Sequence, residues 1–191
     1  MLIWMLFGII LLIISVSDFL FFRIENEYII ALIVLYVISC ISNISGSNFS
    51  GGLMVATMIF AITLFLNYFN LIGGGDVKLL VPVILFAENN LSIFLIGLSA
   101  GGLFLAIIYF FFSRQIFFVR RKIISSLYIF SRKRGKSHLL SFVLPSLSRI
   151  DKRVVSLRKY TFNTMKQEIP YGVAIAFGGF CVIFENCVTR W

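Results

Sequence analysis

Residues 1–17, MLIWMLFGIILLIISVS, contain no charged side chain and form an apolar run that ends at Asp18. A helix of this length is at the short end of what spans the ~30 Å hydrocarbon core of a bilayer. The run has no positively charged segment before it and no small-residue cleavage site after it, which predicts a retained first span instead of a signal peptide. The segment suited to lipid thus closes on a carboxylate.

The composition extends this prediction to the whole chain. Of the 191 residues, 60% are hydrophobic and 13% are charged, and the mean hydropathy is +1.00. The charged share is about half that of an average soluble domain, and helices of such composition pack against one another in lipid. We therefore predict an all-α integral membrane protein with a single membrane-embedded domain over residues 1–191.

The uncharged runs predict a bundle of about six transmembrane helices. A polar, glycine-rich cluster divides the long uncharged stretch 28–75 into two spans. The predicted spans cover residues 1–17, 28–44, 51–69, a fourth ending near 87, 91–113 and 169–184. The fourth is the shortest, because Lys78 and Glu88 enclose few uncharged residues, and a re-entrant or half helix is its alternative. Small residues within 97–102 predict close helix contact in the fifth span.

Positive charge is concentrated between the last two spans. The formal net charge is +9, and residues 114–168 hold 14 of the 17 Lys and Arg but only two acids. Such a loop is typical of the cytoplasmic side and attracts anionic lipid. Apolar residues at helical spacing from Ile116 to Phe130 predict a helix at the membrane surface. Nucleic acid is disfavoured because no recognition fold is visible, whereas binding of a partner protein is the alternative.

The basic loop sets the predicted orientation of the bundle. Counting back from a cytoplasmic 114–168 loop places the end of the first span and the start of the fourth at the cytoplasmic face. Asp18 and Asp76 then share one face of the membrane. Acids beside lipid cost free energy and often mark function, although each of these alone also fits an ordinary residue at a helix end.

Asp76 lies in the segment Leu71–Lys78, LIGGGDVK, behind three consecutive glycines. Glycines oppose a regular helix and make room for an extended backbone. Two carboxylates that approach each other do not ionise together readily, so the pair offers one acid and one base. The base can activate water while the acid protonates a carbonyl oxygen or a leaving nitrogen. This chemistry hydrolyses peptides, and we expect neither a metal nor a cofactor.

Three segments, in this order along the chain, carry a resemblance to a known family. They are 18–26, DFLFFRIEN; 73–79, GGGDVKL; and 169–176, IPYGVAIA. Together they resemble the type IV prepilin peptidases, the A24 family of aspartic peptidases of the GxGD type. That family has an aspartate before Arg-Ile-Pro-Asn, a Gly-x-Gly-Asp-x-Lys segment and a Pro-Tyr-Gly segment. The resemblance implies that Asp18 and Asp76 are the catalytic residues.

The same segments supply the candidates for holding the substrate. These seven residues are Gly73, Gly74, Gly75, Lys78, Pro170, Tyr171 and Gly172. Lys78 has two interpretations, since it either tunes the charge of Asp76 or holds a lipid phosphate. Pro170 equally fits the first turn of a helix.

The resemblance implies an endopeptidase in the inner membrane that removes the short basic leader of a type IV-like prepilin at the cytoplasmic face. Glu25 stands where the family has proline, which leaves the geometry of that loop open. The cysteine-rich insertion of larger members is missing from the sequence, so no methyltransferase activity is expected, as in the short members resembling Tad/Flp-pilus peptidases. The alternatives are a non-enzymatic pilus or secretion assembly factor and a small proton-coupled transporter, the latter disfavoured because both acids lie near one face.

Overall fold

The computed structural model describes residues 2–22, 24–42, 49–133 and 170–188. The regular elements in these ranges are all helical, which confirms the predicted all-α class. They are α1 (Leu2–Phe21), α2 (Asn26–Ile41), α3 (Phe49–Tyr68), α4 (Gly74–Ala87), a 3₁₀ turn (Glu88–Asn90), α5 (Leu91–Lys133) and α6 (Tyr171–Val188). Most of the predicted basic loop, residues 134–168, lies outside the described residues.

Four helical segments are long and apolar enough to cross a membrane. They are Leu2–Phe21, Gly51–Tyr68, Leu91–Ile116 and Tyr171–Val188. α2 is apolar but has 16 residues, and α4 has 14. At ~1.5 Å per residue α4 is about 21 Å long, which is less than the ~30 Å of hydrocarbon. The chain is an integral membrane protein of helices, and the predicted count of about six crossings stays a prediction for α2 and α4.

The end of α1 differs from the prediction by one turn. The sequence predicts a first span over residues 1–17 whose apolar run ends at Asp18. Instead α1 continues to Phe21, because the residues after Asp18 are still apolar and Leu20 is buried in the bundle. Asp18 therefore lies inside the last turn of the helix and not beyond its end.

The fifth helix also extends further than predicted. The sequence predicts a span to residue 113 and a separate helix over 116–130, whereas α5 is continuous from Leu91 to Lys133. Its only described departure from helical geometry is Phe112, with φ −118° and ψ 15°. The predicted boundary is therefore a kink within one helix, and the first basic residues of the 114–168 segment are carried on the continuation of the fifth span.

An aromatic cluster fixes α4 between α1 and α2. Phe7 of α1 stacks on Phe86 of α4 with ring centroids 4.2 Å apart, and Trp4 and Tyr36 contact the Phe86 ring edge-on at 5.9 and 5.5 Å. Aromatic pairs contribute about 0.5–1.5 kcal/mol each beyond the area they bury. This cluster lies near the start of α1 and the end of α4, so it anchors the two helices at the end opposite to both aspartates.

The predicted close contact of the fifth span is confirmed at two of its small residues. A Cβ on Gly97 would lie 2.9 Å from Cys181 Sγ and 3.0 Å from Gly178 Cα, and one on Gly101 would crowd Phe177 of α6. Of the other small residues within 97–102, Ser99 and Ala100 are exposed, and a Cβ on Gly102 would meet only Ala174 Cβ at 3.9 Å. The glycines let α6 lie directly against α5, and α6 also packs on α1, so the start of α6 comes close to Asp18.

Candidate active site

A cavity of about 390 Å³ opens where the end of α1, the loop before α2 and the start of α4 meet. Six of the predicted site residues line it, namely Asp18, Gly73, Gly74, Gly75, Asp76 and Lys78, and the other lining residues are Phe22, Ile24, Glu25 and Asn26. Two helices that are separate in the sequence thus bring the two aspartates to one space. Their carboxyl groups are close enough to interact electrostatically.

The turn at the end of α3 delivers the glycines to this cavity. Asn70 has a φ of 58°, in the left-handed region that asparagine tolerates well. The Asn70 N–H donates to the Asn67 carbonyl at 2.8 Å, and the Leu71 N–H donates to the Leu66 carbonyl at 3.1 Å. This pair of bonds is a Schellman motif, which closes a helix and reverses the chain. The Asn67 side chain also donates to the carbonyl of Ile72 at 2.6 Å, directly before the glycines.

Asp76 is held by the N-terminus of its own helix. Gly73 is the N-cap of α4, and its carbonyl accepts from the Val77 N–H at 3.2 Å. Asp76 is the third residue of α4, and its carboxyl group accepts a hydrogen bond from the Gly73 N–H. A third-residue acid that bonds back to the N-cap is half of a capping box. The positive end of the helix dipole also favours negative charge at this point.

Asp18 is held by other helices. Its side chain is 5% exposed and lies in the last turn of α1, where the dipole of its own helix disfavours an anion. The backbone N–H groups of Gly172 and Val173 interact with the carboxyl group from the first turn of α6, where a helix N-terminus favours negative charge. Its Oδ2 atom makes no hydrogen bond to a described residue. The environment of the Asp18 carboxyl group therefore depends on how α6 packs against α1.

Gly172 is the point of closest approach between α6 and Asp18. A Cβ at this position would lie 2.8 Å from Asp18 Oδ2 and 3.0 Å from its Cγ, so only glycine fits without displacing the carboxyl group. The structure does not bring its two predicted neighbours to the cavity. Pro170 is fully buried before the first turn of α6, and Tyr171 is 46% exposed. Pro170 directly precedes α6, and its role in holding the substrate stays a prediction.

Glu25 lies in the loop between α1 and α2, whose geometry the sequence did not determine. It is the N-cap of α2, with φ −78° and ψ 139°, a conformation that proline also adopts. The backbone of Glu25 therefore has a φ that a proline at this position could also adopt. Glu25 also places a third carboxyl side chain, 5% exposed, in the cavity wall.

Two residues of α5 near Asp18 were not predicted from the sequence. Arg120 donates from Nε to the Leu20 carbonyl at 2.6 Å, and Tyr109 interacts electrostatically with both Arg120 and Asp18. Arg120 lies in a run of three basic residues, a pattern that indicates a membrane interface and carries no information about a contact 100 positions away. Phe22, Ile24 and Asn26, which also line the cavity, lie in the segment 18–26 that carries the family resemblance.

The chain was compared with known families, curated proteins and solved structures. The family model described as the type IV leader peptidase family matches residues 5–113. The matched range covers more than half of the chain and contains both aspartates and the three glycines. No curated protein and no solved structure matches the chain.

Proposed function

Because the chain belongs to the type IV leader peptidase family, we propose that it is a membrane aspartic endopeptidase of the GxGD type. Its substrate is a type IV-like prepilin, from which it removes the short basic leader. The observation that carries the proposal is that Asp18 and Asp76, from two helices, line one cavity and interact electrostatically. Carboxylates so arranged are typical of a proton-sharing acid–base pair.

Peptide hydrolysis by this pair needs one ionised and one protonated carboxyl group. The ionised group accepts a proton from a water molecule, whose oxygen attacks the carbonyl carbon of the scissile bond. The protonated group donates to the carbonyl oxygen, and the intermediate collapses as the leaving nitrogen receives a proton. The Asp18 Oδ2 atom, which no described residue hydrogen-bonds, is available for one of these contacts.

The walls of the cavity suit an extended, basic peptide. Gly73 and Gly74 are exposed on its surface and present backbone without side chains to the substrate. Glu25 adds a carboxylate to the wall, and Glu27 is exposed in the first turn of α2. These acids would attract the basic residues of a leader. Both interpretations of Lys78 remain open: it either tunes the charge of Asp76 or holds a lipid phosphate.

The proposed site faces the cytoplasm at the inner membrane. In support, the contact of Arg120 with Leu20 puts the Asp18 end of α1 beside the part of α5 where the basic residues begin. Basic segments are retained on the cytoplasmic side and attract anionic lipid. We therefore keep the prediction that the 114–168 loop lies against anionic lipid, with a prepilin as the protein partner.

Leader removal tests the proposal directly. The chain is co-expressed with a candidate prepilin, and processing is followed on a gel for the native protein, Asp18→Ala and Asp76→Ala. Loss of a general acid or base typically costs about 10²–10⁴-fold in rate, so we expect unprocessed prepilin with both variants. Glu185→Gln, at the opposite end of α6 from Asp18, is the control and should process normally.

The outcomes separate the rival functions. Full processing by either aspartate variant would contradict the paired mechanism. If the native chain leaves every tested leader intact while pilus assembly still requires it, the protein is an assembly factor and not a peptidase.

A further inference from the structure

We propose that Arg120 clamps the last turn of α1 and thereby positions Asp18. Arg120 lies on the continuation of α5, beyond residue 113 where the family match ends. It is a positioning residue, since its contacts are to the turn that carries Asp18. The clamp itself is independent of the reaction, whereas its effect on catalysis rests on the proposed function.

The last turn of α1 closes in an unfavourable conformation. Phe22 has a φ of 50°, in the left-handed region that costs free energy for residues with a Cβ and is normally occupied by glycine at a helix end. Its N–H donates to the Asp18 carbonyl at 2.8 Å, which is the single bond of the left-handed helix cap. The backbone of Asp18 is thus one side of this turn, and any change at Phe22 is transmitted to it.

Arg120 contacts the turn at two points. Its Nε donates to the Leu20 carbonyl at 2.6 Å, one of the terminal carbonyls that lack a partner within the helix. Its guanidinium carbon lies 3.8 Å from the centre of the Phe22 ring, within the range of a cation–π contact. One planar group therefore holds the carbonyl before the turn and the side chain at its end.

The charge of Arg120 also acts on Asp18. The guanidinium attracts the Asp18 carboxyl group electrostatically, at a helix C-terminus where the dipole of α1 opposes a negative charge. The Tyr109 hydroxyl, about three turns earlier on α5, interacts with both groups and has no hydrogen-bond partner among the described residues. Arginine thus offsets a charge that the position of Asp18 in its own helix disfavours.

Hydrogen exchange tests the clamp without any substrate. The full chain, reconstituted in lipid nanodiscs, is compared as native protein, Arg120→Gln and Lys122→Gln, which removes an exposed charge from the same helix. Because a hydrogen bond to a charged group is lost, the Phe22 amide should exchange about tenfold faster in Arg120→Gln. Lys122→Gln should match the native protein. Unchanged exchange at Phe22 in Arg120→Gln overturns the proposal.

A second substitution separates the clamp from general destabilisation. Phe22→Gly removes the cost of the left-handed conformation together with the ring contact, but it leaves the Arg120 bond to the Leu20 carbonyl in place. In that background, Arg120→Gln removes only this bond, so its effect on hydrogen exchange at position 22 should fall clearly below tenfold. An undiminished tenfold effect would mean that Arg120 acts elsewhere and would contradict the clamp.

Kinetics of leader cleavage test the link to Asp18. A misplaced catalytic group typically costs about 10- to 100-fold in rate, so Arg120→Gln should lower kcat by this factor while KM changes less than about twofold. Arg120→Lys should recover part of kcat, because an ammonium can lie over Phe22 but lacks the planar fork. If Asp18→Ala abolishes cleavage while Arg120→Gln keeps native kcat, the positioning role is wrong and the peptidase stands.

Discussion

The two aspartates share a cavity, but the chain holds them by opposite means. Asp76 is fixed within four residues of sequence, by the N-cap Gly73 and the start of its own helix. Asp18 lies at the unfavourable end of α1, where the first turn of α6 and Arg120 of α5 interact with its carboxyl group. One half of the candidate site is therefore a local structure, and the other half is a product of tertiary packing.

This difference predicts unequal tolerance to change. A substitution far from the cavity that shifts α5 or α6 should displace Asp18, whereas Asp76 should keep its position at the N-terminus of α4. The two glycines that touch the carboxylates offer a direct comparison, because each would place a Cβ 2.8 Å from an aspartate oxygen.

Gly172→Ala should have the larger effect of the two. Its Cβ would also lie 3.0 Å from Asp18 Cγ and 3.1 Å from Ile24 Cδ1, so α6 or the carboxyl group must move. At Gly73 the next contact, Asp76 Cγ, is 3.7 Å away, and the carboxylate can rotate. We expect leader cleavage to fall about 100-fold for Gly172→Ala and about tenfold or less for Gly73→Ala. Gly102→Ala, which lies outside the cavity lining and whose Cβ would meet only Ala174 Cβ at 3.9 Å, is the control.

Equal losses of leader cleavage for Gly172→Ala and Gly73→Ala, measured at matched protein levels in membranes, would contradict the expected difference between the two aspartates. They would mean that both aspartates tolerate displacement to the same extent. A larger loss at Gly73 would reverse it.

Gly97→Ala should have a smaller effect, through the packing of α5 on α6. The added methyl would meet Cys181 Sγ at 2.9 Å and Gly178 Cα at 3.0 Å, and one of these is backbone. Overpacking of this kind costs about 1–3 kcal/mol, so the apparent unfolding midpoint in detergent should fall. Gly102→Ala, with 3.9 Å to the nearest atom, should leave it unchanged.

Amide hydrogen exchange in the Gly97→Ala variant completes this test. Since α6 supplies two N–H groups to Asp18, the amides in the last turn of α1 should exchange faster while those at the start of α4 change less. Equal loosening at both places would contradict the division into a packed half and a local half.

The parts predicted from the sequence are those set by local chemistry. Uncharged runs predicted the helices, and the three glycines predicted the break that separates α3 from α4. The position of Asp76 at a helix N-terminus follows from the same few residues. A signal confined to neighbours in the sequence was enough for this half.

The parts that sequence missed are set by packing. Nothing in the run from Phe19 to Phe22 marks a helix end, because phenylalanine rarely occupies a left-handed cap. The kink at Phe112 and the contact between Arg120 and Leu20 depend on how α5 meets α1 in three dimensions. The role of Gly172 as a spacer was hidden for the same reason, although its segment was singled out.

Crosslinking measures whether Asp18 and Asp76 lie close together at one cavity. Asp18→Cys and Asp76→Cys are combined in a chain whose Cys40, Cys181 and Cys187 are replaced by alanine, and native membranes are treated with a short bis-thiol reagent. We expect efficient linkage of the two positions within one chain, detected by mass spectrometry of the joined peptides. The pair Asp18→Cys with Glu88→Cys, at the far end of α4, should remain unlinked. Equal linkage of both pairs, or none between positions 18 and 76, would contradict the shared site of the two aspartates.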